Sequence, residues 1–116
     1  MSEQQASGKT TIAPEVLVTI ARLTALSVTG VSRLSPVPGD IGPLLKRDAP
    51  EGVRIVVDGN AVLVDLYVVL MRDVNVREVS RNIQSQVTRA ISEIVGMEVG
   101  RVNVHVEDVD YSRAVA

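Results

Sequence analysis

His105 is the single histidine of the 116-residue chain, and it lies in "VNVHVEDV", where strict alternation marks a strand. Asp65 and Tyr67 stand two apart in "VLVDLYVVL", and Glu107 follows His105 at the same spacing. If both stretches are extended, these side chains share one sheet face. An imidazole beside carboxylates and a phenol is a set suited to general acid–base work. The same residues are also what an exposed strand displays when valine alternates with polar side chains. A flat open sheet encloses no water-excluding pocket, so no catalytic residue is assigned. One histidine with scattered carboxylates lacks the ligand spacing of a dedicated metal site, and the sequence calls for no metal or other cofactor.

Arg77, Arg81 and Arg89 form the other group with chemical potential, since guanidinium groups on one helix can hold phosphate. The formal charge of −2 and a pI near 5.3 give no general attraction to polyanions. The one GxxG, at Gly39–Gly42, falls in the proline-rich loop between a helix and a strand and not between helices as in the RNA clamp of KH modules, and two tyrosines build no stacking platform. The arginines therefore read as a solvated helix face. A KH-like nucleic-acid-binding module and a small acid–base enzyme centred on His105 stand as the alternatives to an interaction protein.

The elements that must carry these residues are marked in the chain. "TIAPEVLVTIARLTALSVTGV" sets Val16, Leu17, Ile20, Leu23 and Val28 on one helical stripe, with Pro14 in the first turn and Gly30 at the expected left-handed cap. Its outward side holds only Glu15 and Arg22 as charges, among Val18, Thr19, Ala25 and Thr29. A proline-rich loop follows at about 33–52, with four of the five prolines, in which "IGPLLK" offers Leu44 and Leu45 for packing. "VRIVVDGNAVLVDLYVVL" reads as a hairpin turning at Gly59–Asn60. That register pairs Val57 with Val62, Ile55 with Val64 and Val53 with Leu66 on one face, and Arg54 with Asp65 and Val56 with Leu63 on the other.

A second helix opens at Asn75, with Glu78 completing a capping box, and closes at Gly96. Its stripe of Val79, Ile83, Val87, Ala90, Ile91 and Ile94 runs about 30 Å at 1.5 Å per residue and must lie along a sheet. "RVNVHVEDV" supplies the last strand, with Val102, Val104 and Val106 inward. The order α-β-β-α-β makes an α+β two-layer sandwich: a three-stranded mixed sheet, both helices on one face, and the last strand parallel to the second. The second strand, the longest and most apolar, is taken as the centre, with the strand order otherwise open.

Residues 1–10 read as a tail, 11–111 as one domain and 112–116 as a second tail. At this length a single core is expected, and with 23 valines and neither Phe nor Trp that core must be aliphatic. No cysteine is present, which excludes disulfides and thiol catalysis and suits a reducing cytoplasm. No signal peptide is visible, and "VLVTIARLTALSV" is too short and interrupted to span a bilayer. The uncovered sheet face presents Val56, Leu63, Tyr67, Val69 and His105, an apolar strip that soluble monomers seldom leave bare. This is the candidate interaction face.

Together, the first helix with Gly30-Val31, the Val-Asp-Leu strand, "NVREVSRNIQSQVTRAISEIVGMEV" and the Val-Asn-Val strand resemble the alkaline shock protein (Asp/Gls) family of bacterial envelope-stress proteins, over about residues 8–111. The resemblance implies a non-enzymatic cytoplasmic protein that oligomerises or docks on a small membrane-anchored partner, becoming membrane-associated through that partner, and supports cell-envelope homeostasis. Two departures stand out: Ala13-Pro14 where the family often has a small polar helix cap, and the long proline-rich loop.

Overall fold

The computed structural model describes residues 8–38 and 52–114, except the side chains of 113 and 114. The elements are α1 (Pro14–Leu26), β1 (Val31–Leu34), β2 (Val53–Asp58), β3 (Ala61–Arg72), α2 (Val76–Val95) and β4 (Glu98–Ala114). β2 pairs antiparallel with β3 from Ala61 to Leu66, and β1 pairs antiparallel with it from Val68 to Leu70. β4 runs parallel to β3. The four strands thus make a mixed sheet three strands wide with β3 at its centre, and one edge consists of two segments laid end to end. Leu17 of α1, Ile83 and Ile91 of α2, and Val64, Leu66 and Val68 of β3 meet in one buried cluster, which places both helices on the same face. The α+β two-layer class is as the sequence indicates.

The hairpin has the register its turn dictates, with Val57 opposite Val62, Ile55 opposite Val64, Val53 opposite Leu66 and Arg54 opposite Asp65. α2 also keeps its expected ends. The Asn75 side chain accepts from the Glu78 N–H at 2.9 Å, and Gly96 caps the helix at φ 80°.

β1 is an addition to the expected order, taking residues 31–34 from the end of the first helix and the start of the proline-rich loop. α1 stops at Leu26 rather than near Gly30, because Ser27 closes its last turn: its N–H bonds to the carbonyls of Leu23 and Thr24, and its Oγ donates to the Thr24 carbonyl at 2.7 Å. The spacing of Val31 and Leu34 hides the strand, since three residues separate two inward side chains. A bulge at Ser32 restores them to one face. The same device shapes β4. Bulges at Gly100 and Glu107 let Val99, Val102, Val106 and Val109 stand opposite Val62, Val64, Val68 and Leu70 despite two three-residue steps.

The two edge segments meet at Tyr67. Its N–H donates to the Gly52 carbonyl at 2.9 Å and its carbonyl accepts from Ser35 at 2.8 Å, so the peptide groups of one central residue are shared between the two halves of the edge. Gly52 occupies the seam at φ 75°, and a Cβ there would lie 2.6 Å from the Leu34 Cβ and 2.9 Å from the Ser35 carbonyl oxygen. Only glycine fits that approach without displacement. Residues 1–7 of the expected tail and Leu44 and Leu45 of the loop lie outside the described residues.

Candidate functional site

On the helix-free face, parallel pairing sets Asp65 beside Asn103 and Tyr67 beside His105. One carboxylate oxygen, Asp65 Oδ1, accepts from Asn103 Nδ2 and from His105 Nε2, each at 3.0 Å. An ionised carboxylate only accepts, so the proton of this imidazole bond sits on Nε2. The ring itself stacks on Tyr67, with centroids 4.5 Å apart and planes within 12°. Burial alone would push the Asp65 carboxyl up. The hydrogen bonds from His105 and Asn103, with the electrostatic influence of His105 and Arg54, outweigh it and hold the carboxyl below its usual range. The arrangement ties β3 to β4 on the open face.

Of the five residues expected to form an apolar interaction strip, the structure leaves three accessible. Val56 is 49% exposed, and Leu63 and His105 are half-buried. Tyr67 and Val69 are buried within the chain itself, as is Val37 in the segment after β1, and all three lie apart from the helix-side core. Leu63 reaches over Gly100, where an added Cβ would stand 3.0 Å from its Cδ2. Near the end of the same face, Ser32 Oγ of β1 donates across β3 to Asp110 Oδ2 of β4 at 2.7 Å. Asp110 also accepts from the Ser112 N–H and Oγ and lies 3.5 Å from Arg33. The hydrogen bonds from Ser112 and Ser32 hold its carboxyl down to about 2.

The larger apolar surface lies on the other side of the molecule. Of the expected stripe, Leu17 and Val28 are buried and Ile20 packs half-buried against the core, joined by Ala21 and Ala25, whereas Val16 is 44% exposed and Leu23 55%; Leu26 is 39% exposed, as is Ile12 just before the helix. With the exposed Thr19, Val16, Leu23 and Leu26 run at steps of three, four and three residues, which keeps them on one outward stripe of the helix, and Ile12 lies ahead of it before the extended Ala13. α2, lying in the same layer, turns Arg81, Ser85, Thr88 and Ser92 outward. Its own stripe is as expected at Val79, Ile83, Val87 and Ile91, but Ile94 is 69% exposed and lines a shallow depression with Thr24 between the helices. Hydrophobicity alone could not orient α1, because the alanines that let it approach the sheet carry less apolar weight than the leucine and valine left outside, and spacing did not decide it either, since the buried Leu17, Ala21, Ala25 and Val28 also recur at helical steps.

Among the described residues no three His, Asp or Glu side chains converge as metal ligands, and no helix is long and apolar enough to cross a membrane. Fold and surface together define a two-layer α+β domain with a shallow polar cluster on one face and an apolar helix on the other. The sequence pattern of the alkaline shock protein family, described as having a cell envelope-related function, matches residues 2–111, and the chain belongs to that family. This agrees with the resemblance seen in the sequence. Two relatives from Bacillus subtilis (strain 168), both named as uncharacterised, are YqhY, 24% identical over 90% of this chain and 78% of its own, and YloU, 23% identical over 88% of each. Among solved structures, MamM CTD 215–293 superposes with a TM-score of 0.52 at 16% identity, covering 83% of this chain and 99% of that one. A zinc form of a MamM CTD variant gives 0.53 at 14% identity, covering 86% and 90%. At such identity the likeness is one of fold.

Proposed function

We propose that the chain is a non-enzymatic interaction protein of the cell envelope, working through self-association, docking on a small membrane-anchored partner, or both. The observation that carries this reading is the contrast between the two helices. They share one layer and one solvent, yet α2 faces outward with Arg81, Ser85, Thr88 and Ser92 and α1 with Val16, Leu23 and Leu26. Apolar side chains gathered on one exposed face mark a surface that another molecule covers. The family's envelope-related function and the absence of a membrane-crossing helix among the described residues support attachment through a protein contact made from the cytoplasmic side. Val56, Leu63 and His105 form a smaller second contact on the sheet.

Fractionation of native cells tests the reading. Wild type is expected in the envelope fraction, and Leu23→Glu, which charges the centre of the α1 face without touching the core, is expected in the soluble fraction. Equal distribution of a folded variant and wild type would refute α1 as the interaction surface. The acid–base alternative has one observation in its favour, the Asp65–His105 hydrogen bond. Its polar cluster lies on a sheet face, and among the described residues shallow depressions lie along α2 and between the helices.

A further inference from the structure

Resting on that reading of α1, we propose that its occupant is a second copy of this chain, paired antiparallel about a twofold axis near Thr19. The outward stripe of Val16, Thr19, Leu23 and Leu26 has the alternating three-four spacing with which one helix seats against another. It is also self-complementary on reversal. A twofold near Thr19 brings Val16 within one residue of Leu23 of the second copy, so these large side chains meet, the small Thr19 meets itself at the crossing, and Leu26 reaches the start of the second copy's helix.

Charge fixes the direction. Glu15 and Arg22 are the only charged residues of α1, stand seven residues apart and therefore lie on the same flank of the stripe. Among the described residues neither has an ion-pair partner. Reversing one helix against the other brings Glu15 of each copy beside Arg22 of its mate, giving two ion pairs from two otherwise unmatched charges. Parallel pairing would set this flank against the opposite one, which carries Ala13, Ile20 and Ser27 and offers no counter-charge. Flanking charges of this kind choose orientation and partner more than they add affinity. The helical contact from Val16 to Leu26 is about 15 Å long at 1.5 Å per residue. It falls at the small end of specific interfaces, so the dimer is reversible and concentration-dependent.

The chain has no cysteine, so single engineered thiols report the geometry cleanly. Under mild oxidation of the full chain, Thr19→Cys is expected to form a disulfide-linked dimer. Leu26→Cys alone is expected not to, because antiparallel pairing holds its two copies about 21 Å apart. An equimolar mixture of Val16→Cys and Leu23→Cys is expected to link. In sedimentation equilibrium, Glu15→Arg should weaken dimerisation about tenfold by opposing like charges, and Glu15→Arg with Arg22→Glu should restore it. Linking of Leu26→Cys alone would overturn the antiparallel arrangement. A chain that stays monomeric at several hundred micromolar, yet loses envelope retention with Leu23→Glu, overturns the second copy as occupant and leaves the interaction reading standing. Loss of neither property overturns both.

Discussion

Replacing Gly52 with alanine tests the seam between the two edge segments. Gly52 and Gly59 both have positive φ, at 75° and 65°, so alanine at either carries the left-handed penalty of about 1–2 kcal/mol. Their surroundings differ. A Cβ at Gly59 meets nothing within 4 Å, whereas at Gly52 it would lie 2.6 Å from the Leu34 Cβ, 2.9 Å from the Ser35 oxygen and 3.1 Å from the Tyr67 oxygen. Two of those atoms are backbone and cannot swing aside, which adds an overpacking cost of about 1–3 kcal/mol. Gly52→Ala should therefore lose about 2–5 kcal/mol against about 1–2 for Gly59→Ala. At about 4–8 °C per kcal/mol, the two melting temperatures should differ by at least about 4 °C. Thermal unfolding followed by circular dichroism measures both. Equal losses would show that β1 and β2 do not abut at Tyr67.

Three further outcomes follow from the described contacts. Asp110 has a folded carboxyl held near 2 against an ordinary value of about 3.9, so its stabilising effect is present above about pH 4 and disappears as pH falls toward 2. Asp110→Asn should flatten that part of the acid unfolding curve, and an unchanged curve would refute the Ser32 and Ser112 hydrogen bonds. His105→Ala removes one stack and one hydrogen bond at a half-exposed site, so urea titration should show a loss of about 1 kcal/mol, and an unchanged midpoint would refute the Asp65–His105–Tyr67 arrangement. Ile83→Ala should cost about 2–5 kcal/mol, because Ile83 is fully buried, while Ile94→Ala, at an exposed position, should stay within about 0.5 kcal/mol.

The hairpin and α2 were legible in the sequence because local chemistry fixes them: Gly59–Asn60 sets the register, and Asn75 and Gly96 set the helix ends. β1 and the full length of β4 were harder to see for a shared reason. Bulges at Ser32, Gly100 and Glu107 break the two-residue period that identifies a strand, while the fold keeps the inward side chains in line. α1 was legible as a helix but not in its rotation, since Ala21 and Ala25 face the core through close approach rather than large apolar area. The pairing of Tyr67 with His105 follows from the strand order, which no local signal sets. The burial of Tyr67 and Val69 depends on tertiary structure that alternation does not report.

Hydroxyl-radical footprinting of the chain, read residue by residue in envelope preparations and in dilute solution, locates the interaction surface most directly. Val16, Leu23 and Leu26, each more than a third exposed in the single chain, should label readily when dilute and be protected in the envelope, while Ile94 and Tyr111, 69% and 72% exposed, label in both. Protection confined to Val56, Leu63 and His105, with α1 labelled equally in both states, would contradict the assignment of α1 as the surface through which this protein works.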